Sequence, residues 1–209
     1  MKKFNTNADL DYACRQLAAQ DAGLASVYET YGPPRMRRQP TGFAGLVRIL
    51  IGQQVSIAAA AAIQSRVDAL LSETTPQAWL GLDDAALAAC GVSAPKRRYL
   101  SGLALAILDK RLRFSVLHRA ENDAAHEMLT ALTGIGPWTA DCYLLFNMRR
   151  ADCFPAGDLA LQEGYRLLYR KNNRPDAALL TKLAQDWSPL RGAAARLLWV
   201  YYGQQRQKV

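Results

Sequence analysis

Two stretches of the chain carry residues whose types and spacing could do chemistry. The first, Leu132-Thr133-Gly134-Ile135-Gly136-Pro137-Trp138-Thr139-Ala140, reads as a helix end, a Gly-x-Gly turn and the start of a new helix. Neither glycine has a Cβ, so the turn can take positive φ and let a ligand come close to the backbone. Pro137 suits the first position of the second helix, whose outward N–H groups and positive dipole end make a seat for a DNA phosphate. An αα-turn with no ligand would need only one glycine. The second stretch, Phe154-Pro155-Ala156-Gly157-Asp158-Leu159-Ala160-Leu161, puts one carboxylate at the start of a further helix. Aspartate there is commonly just an N-cap. The helix dipole also favours its ionised form, so a cap can double as a catalytic acid that stabilises a cation or aligns water. Together the stretches point to a grip on a nucleic-acid backbone and a single acid aimed nearby.

Other candidates are less specific. Gln53 and Gln54 sit at a break between two apolar helices, either as surface loop or facing a ligand. Trp79, Trp138, Trp187 and Trp199 are core residues by default, and Trp138, just past the turn, is the least purely so. The separations of Cys14, Cys90, Cys142 and Cys153 match no zinc or iron–sulfur spacing, so reduced thiols, two or three of them in the core, are expected. His118 and His126 lie apart from both stretches and take no assigned role.

The elements that must position these residues are helical, since alternating strand patterns are almost absent. One-faced helices are expected over 9–19 and 23–31, before Gly32-Pro33-Pro34 breaks the chain. Phe43, Leu46, Val47, Leu50 and Ile51 mark a strong helix, and Ser56 can cap the Ala-rich one that follows to about residue 71. Short helices follow over 76–82 and over 83–90, the latter capped by Asp83 and ended by Gly91. Then come 95–109, 115–119, the hairpin arms 122–132 and 138–146, and finally 158–169, 176–187 and 189–205, with Leu159, Leu161 and Leu168 as core. This is an all-α chain of about ten helices with no internal repeat.

Composition agrees with such a fold. A chain of 209 residues, 50% hydrophobic and 21% charged, can bury a real core, as one domain or two packed halves. Its apolar runs are too short to span a bilayer, and Met1-Lys2-Lys3-Phe4-Asn5 opens no secretory signal, so no membrane partner and a cytoplasmic location are expected. Twenty-six Lys+Arg against 18 Asp+Glu give a net charge of +8, which favours a polyanionic partner. The positives cluster at Arg35/Arg37/Arg38, Lys96/Arg97/Arg98, Lys110/Arg111/Arg113, Arg149/Arg150 and Arg166/Arg170/Lys171/Arg174. About half should be solvated helix ends and loops. Arg149/Arg150, near the hairpin, has the better claim to phosphate.

The run LTGIGPWTADCYLL followed by FPAGDLAL resembles the helix-hairpin-helix/Gly-Pro-Asp signature of base-excision DNA glycosylases. ILIGQQVSIAAAAAI and the closing WSPLRGAAARLLW resemble segments of its alkylated-base branch, the 3-methyladenine DNA glycosylase II type, in a short form without an extra N-terminal β-domain. The resemblance covers roughly residues 41–202. It implies two helical subdomains flanking a DNA- and base-binding cleft, with residues 1–40 packing with the C-terminal part, a central bundle over 41–146 that includes the hairpin (122–146), and a C-terminal part over 147–209 carrying the acid.

By the same resemblance Asp158 is the catalytic carboxylate. Thr133, Gly134, Ile135, Gly136, Trp138 and Thr139 hold the DNA backbone. Gln53 and Gln54 plug the gap left by a flipped base, and Trp138, Cys142 and Trp199 line the base pocket. No catalytic metal and no cofactor are implied, apart from a structural Na+ or K+ at the carbonyls of Thr130, Leu132 and Ile135. The implied substrate is damaged duplex DNA, handled by a monomer that releases alkylated bases hydrolytically. Bifunctional relatives place a lysine just after the turn, where this chain has Trp138, so a lyase step is not expected. Some alkyl-base members have a pocket tyrosine where this chain has Cys142, and Tyr143 lies about 100° further round the helix. The alternative reading is a non-catalytic DNA-binding module built on the same hairpin.

Overall fold

The computed structural model describes residues 2–36 and 39–207. Arg37 and Arg38 of the first basic cluster lie outside the described residues. Thirteen α-helices run along the described chain, and its one β-like feature is an isolated antiparallel bridge between Lys3 and Arg150. Two compact units divide the chain, residues 39–143 as one and residues 1–38 with 144–209 as the other.

The 39–143 unit holds α3 (Gly42–Gly52), α4 (Ile57–Leu70), α5 (Pro76–Leu80), α6 (Asp84–Ala89), α7 (Ala94–Leu108), α8 (Phe114–Leu117), α9 (Asn122–Thr130) and α10 (Pro137–Cys142). Its centre is α3, whose Phe43, Leu46, Val47, Leu50 and Ile51 are all buried, with the Phe43 ring edge-on to the buried Trp79 of α5. α4 buries only Val67. Its alanines, the best helix formers, and the Ser56 cap, whose Oγ accepts from the Ala59 N–H at 3.1 Å, sustain it instead. α6 starts after Asp83 as expected, but the Asp83 side chain makes no cap hydrogen bond.

The other unit is built from α1 (Asn7–Ala18), α2 (Ala22–Tyr31), α11 (Leu159–Leu168), α12 (Ala177–Leu183) and α13 (Arg191–Arg206). α13 packs on α1, α2 and α11. Small residues allow the close approaches of α13: a Cβ on Gly164 of α11 would meet the Leu198 carbonyl oxygen of α13 at 3.1 Å. A Cβ on Gly192 would meet the Leu145 side chain and the Ala151 carbonyl oxygen, and the Gly192 N–H donates to that oxygen at 2.8 Å. Asp152 anchors the entry to α13: its Oδ1 accepts from the Arg191 Nε at 2.7 Å, and its Oδ2 accepts from the Ser188 hydroxyl at 3.0 Å.

Several boundaries differ from the sequence expectation. The second hairpin arm is not one α-helix over 138–146; α10 ends at Cys142 and widens into a π turn over Tyr143–Asn147. The helix expected over 176–187 is α12 followed by a 3₁₀ turn, Ala184–Trp187. Leu159, expected in the core, is 62% exposed, because the first position after the Asp158 cap faces outward. Leu161 is fully buried and Leu168 half-buried. Arg149/Arg150 is not a phosphate-facing pair: Arg150 is buried, and Arg149, at φ +57°, directs its guanidinium to the Asn5 carbonyl. The short bridge to the N-terminal segment draws both into the unit. None of the four cysteines is in a disulfide and all are buried, and burial pushes the Cys14 thiol up to about 12.

Candidate active site

The hairpin lies wholly in the 39–143 unit. α9 ends at Thr130, and the turn closes when the Ile135 N–H donates to the Leu132 carbonyl at 3.1 Å. Gly134 is required twice over: its φ is +89°, and a Cβ there would collide with the Tyr99 ring of α7. Gly136 is the N-cap of α10 with no side chain to cover the first-turn N–H groups, and Pro137 follows at N1. Thr133 and Gly136 are exposed, Gly134 and Trp138 half-buried, and Ile135 and Thr139 buried. The Ile135 and Thr139 side chains therefore hold the corner from inside, and what they can present to a phosphate is main chain.

The two adjacent glutamines part company. The Gln53 amide turns inward, its Nε2 donating to the Gly134 carbonyl at 3.2 Å and to the Thr139 hydroxyl at 2.8 Å. It thus ties the α3–α4 corner to both ends of the hairpin turn. Gln54 is exposed in a left-handed backbone conformation, φ +56°. Ile57, 90% exposed, stands three residues further on at the start of α4. Of the pair, Gln54 is the one with a side chain available to a partner.

Lys96, of the second basic cluster, is used inside this unit. Its Nζ donates to the Ile51 and Gln53 carbonyls at 2.7 and 2.8 Å, closing the C-terminus of α3 just before the glutamines, and burial lowers its pKa. Sequence reasoning missed this role, since nothing local relates Lys96 to a helix end so far up the chain. Arg97 is likewise occupied by Asp84 and the Val92 carbonyl, whereas Arg98 is exposed. Cys142 is buried. Tyr143 is fully buried too, its hydroxyl accepting from the Gly42 N–H at 2.8 Å, and burial pushes its pKa up to about 12.

The acid lies in the other unit. A tight turn of buried residues, Phe154 to Ala156, delivers the chain to Asp158, whose N–H donates to the Pro155 carbonyl. Asp158 is the expected N-cap: its Oδ1 accepts from the Ala160 and Leu161 N–H groups at 3.0 and 3.1 Å. A third donor is the Trp199 indole, with Nε1 at 3.1 Å from the same oxygen. Asp158 and Trp199 are both half-buried, so the carboxylate is fixed yet reachable. The sequence read Trp199 as core by default and the family resemblance implied a pocket wall; its bond to the acid was not legible. Gln162, one turn into α11, donates to the Ala156 carbonyl at 2.9 Å and so braces the turn from behind.

Among the described residues no group of three or more His, Cys, Asp or Glu could hold a metal ion, and no helix is long and apolar enough to cross a membrane. The chemistry on offer is one buttressed carboxylate, and a glycine corner backed by the Tyr99 ring.

Comparison with known proteins gives a consistent answer. Residues 47–189 match the family described as HhH-GPD superfamily base excision DNA repair protein. DNA-3-methyladenine glycosylase 1 of Schizosaccharomyces pombe is 32% identical over 180 residues, covering 84% of this chain and 79% of that protein. A solved structure of a 3-methyladenine DNA glycosylase from the same yeast, in complex with abasic DNA, superposes with a TM-score of 0.83 at 30% identity over 90% of this chain and 95% of that one. A DNA-3-methyladenine glycosidase from Bacillus halodurans superposes with a TM-score of 0.82 at 33% identity, over 94% and 91% of the two chains.

Proposed function

This chain belongs to the HhH-GPD superfamily of base excision DNA repair proteins, and from that premise we propose that it is a monofunctional DNA glycosylase releasing alkylated, 3-methyladenine-like bases from duplex DNA. The observation that carries the reading is the Asp158 carboxylate, half-buried and held through one oxygen by three N–H donors. A damaged base must leave the stack before its glycosidic bond can be reached, at a cost of a few kcal/mol that is smaller for a damaged or mispaired base. Alkylation of a ring nitrogen makes the base cationic, so it stacks well on an indole and leaves as a neutral molecule. The bond electrons go with the base, positive charge develops at the sugar C1′ and ring oxygen, and a water oxygen adds to C1′ with release of its proton. An ionised carboxylate fixed beside that sugar stabilises the cation, and one such group suffices.

The glycine corner, with Thr133 and the first N–H groups of α10, would grip a backbone phosphate, and Gln54 would fill the space of the flipped base. The carbonyls of Thr130, Leu132 and Ile135 would hold a sodium or potassium ion. An all-carbonyl donor set suits a hard monovalent cation, and the Leu132 oxygen keeps a lone pair beyond the one facing the Ile135 N–H. Bound there, the ion would supply positive charge to the phosphate. Trp138 occupies the place where lyase relatives carry lysine, so release is hydrolytic and leaves the strand intact. The protein would act as a monomer.

The test is base release from duplexes each carrying one lesion. Wild-type protein should free 3-methyladenine or 7-methylguanine without nicking, and Asp158→Asn should lose on the order of a hundredfold or more in rate. Near-wild-type release by Asp158→Asn sinks the assignment of the acid. Borohydride trapping of the protein on DNA sinks the monofunctional reading.

A further inference from the structure

Arg196 is a charged side chain in the core of its unit that the chemistry above does not use. It is 7% exposed, and burial pulls its pKa down to about 10. A buried guanidinium is costly unless its donors are satisfied, and an apolar side chain of the same volume would fill the space at less cost. Its donors are aimed at main chain: Nη1 to the Gly192 carbonyl at 3.0 Å and Nη2 to the Leu145 carbonyl at 3.1 Å. Its faces lie over two rings, Phe4 at 5.6 Å and Phe146 at 5.2 Å.

Leu145 and Phe146 belong to the π turn, the one place where the helical ladder of this region is widened. Such turns recur at functional sites. This one carries Phe146. Its ring lies against the Arg196 guanidinium and also 5.2 Å from the Trp199 indole, the two planes 31° apart. Arg196 and Trp199 are three residues apart on α13 and share a face. The indole backed by Phe146 is the one whose N–H reaches Asp158 Oδ1. The backbone donors of Ala160 and Leu161 also bond that oxygen, from within α11 itself. The indole is a donor from outside the helix, on α13, and so it can bear on how the carboxylate is turned.

We infer that Arg196 is a positioning residue for the reaction, clamping the π turn so that Phe146 backs Trp199 and Trp199 orients the Asp158 carboxylate. The inference rests on the glycosylase reading and adds three residues to it. A purely structural Arg196 would affect folding alone. A positioning one affects the carboxylate's preference for a cationic sugar, which an abasic analogue reports without any base being bound.

The experiment compares Arg196→Lys, Phe146→Leu and Trp199→Phe with the wild-type chain, each first checked for folding by thermal melting. Two readouts are taken: single-lesion 7-methylguanine release, and binding to duplexes with a cationic pyrrolidine or a neutral tetrahydrofuran abasic analogue. Arg196→Lys and Phe146→Leu should each lose about tenfold in kcat with KM nearly unchanged, and all three variants should lose a similar factor of pyrrolidine preference. Adding Phe146→Leu to Trp199→Phe should cost nothing further, because both act through one bond. The inference is overturned if Phe146→Leu keeps both readouts within about twofold of wild type, or if its loss multiplies with that of Trp199→Phe. Should Arg196→Lys fail to fold, Phe146→Leu decides alone. Wild-type protein that releases no base overturns the glycosylase reading and this inference with it; wild-type release with unaffected variants overturns only the inference.

Discussion

At the scale of single residues, the two glycines of the hairpin turn do different work although they sit two positions apart. Gly134 is committed to the fold: its positive φ and the Tyr99 ring against it leave no room for a Cβ. Gly136 has an ordinary φ of −82° and nothing within 4 Å of where a Cβ would stand. If the corner grips phosphate through its backbone, the open space at Gly136 is where the DNA comes in. Gly134→Ala should therefore lower thermal stability, by about 1–3 kcal/mol from backbone strain alone, whereas Gly136→Ala should melt like the wild type. Titration with abasic duplex should show both variants binding more weakly. Full-strength binding by a normally melting Gly136→Ala would show that the phosphate does not approach there.

At the scale of elements, ionic clamps hold helix ends whose positions matter for the site. Burial alone would raise the Asp152 carboxyl, but the Arg191 guanidinium, the Ser188 hydroxyl and the Arg191 N–H together outweigh it and hold the pKa below the ordinary carboxylate value. A carboxyl with a lowered folded-state pKa contributes stability that is fully present above its unfolded value near 3.9 and is lost as pH falls through the folded one. Asp152→Asn should therefore cost roughly 2 kcal/mol at neutral pH. That difference from wild type should shrink in urea melts run progressively below about pH 4, and a gap independent of pH would mean the clamp is not ionic. Nothing local in the sequence announces Asp152, because its partners stand almost forty residues downstream. The contrast with α3 is instructive. Phe43, Leu46, Val47, Leu50 and Ile51 wrote that helix and its buried face plainly, since periodicity is a local signal. Asp158 as an N-cap and the Gly-Pro start of α10 were legible for the same reason. The inward turn of Gln53, the burial of Arg150 and the π turn at Tyr143 were not, because each depends on a partner distant in sequence. Two identical neighbours, Gln53 and Gln54, carry no mark of which one the fold will use.

At the scale of the whole molecule, the net charge of +8 overstates the cation available to DNA. Arg150 and Arg196 are buried, Lys96 closes α3, and Arg97, Arg166 and Arg191 are engaged by Asp84, Glu163 and Asp152. The exposed remainder includes Arg98, Arg113, Arg170, Lys171 and Arg174. Arg98 directly precedes Tyr99, whose ring packs against Gly134 of the glycine corner. Each phosphate neutralised by a cation contributes about −0.9 to the slope of log affinity against log salt concentration. Binding to abasic duplex should thus weaken with salt along a line whose slope corresponds to only a few phosphates, on the order of −2 to −5. Arg98→Ala should flatten that slope by about 1. Lys96→Met should weaken the fold yet leave the slope alone, since the ammonium it removes is already spent on the Ile51 and Gln53 carbonyls. A series of titrations from low to moderate salt separates the two. Equal flattening by both variants would mean that charge near the corner acts diffusely, and a response flat in salt for the wild type would remove nucleic acid from the account altogether.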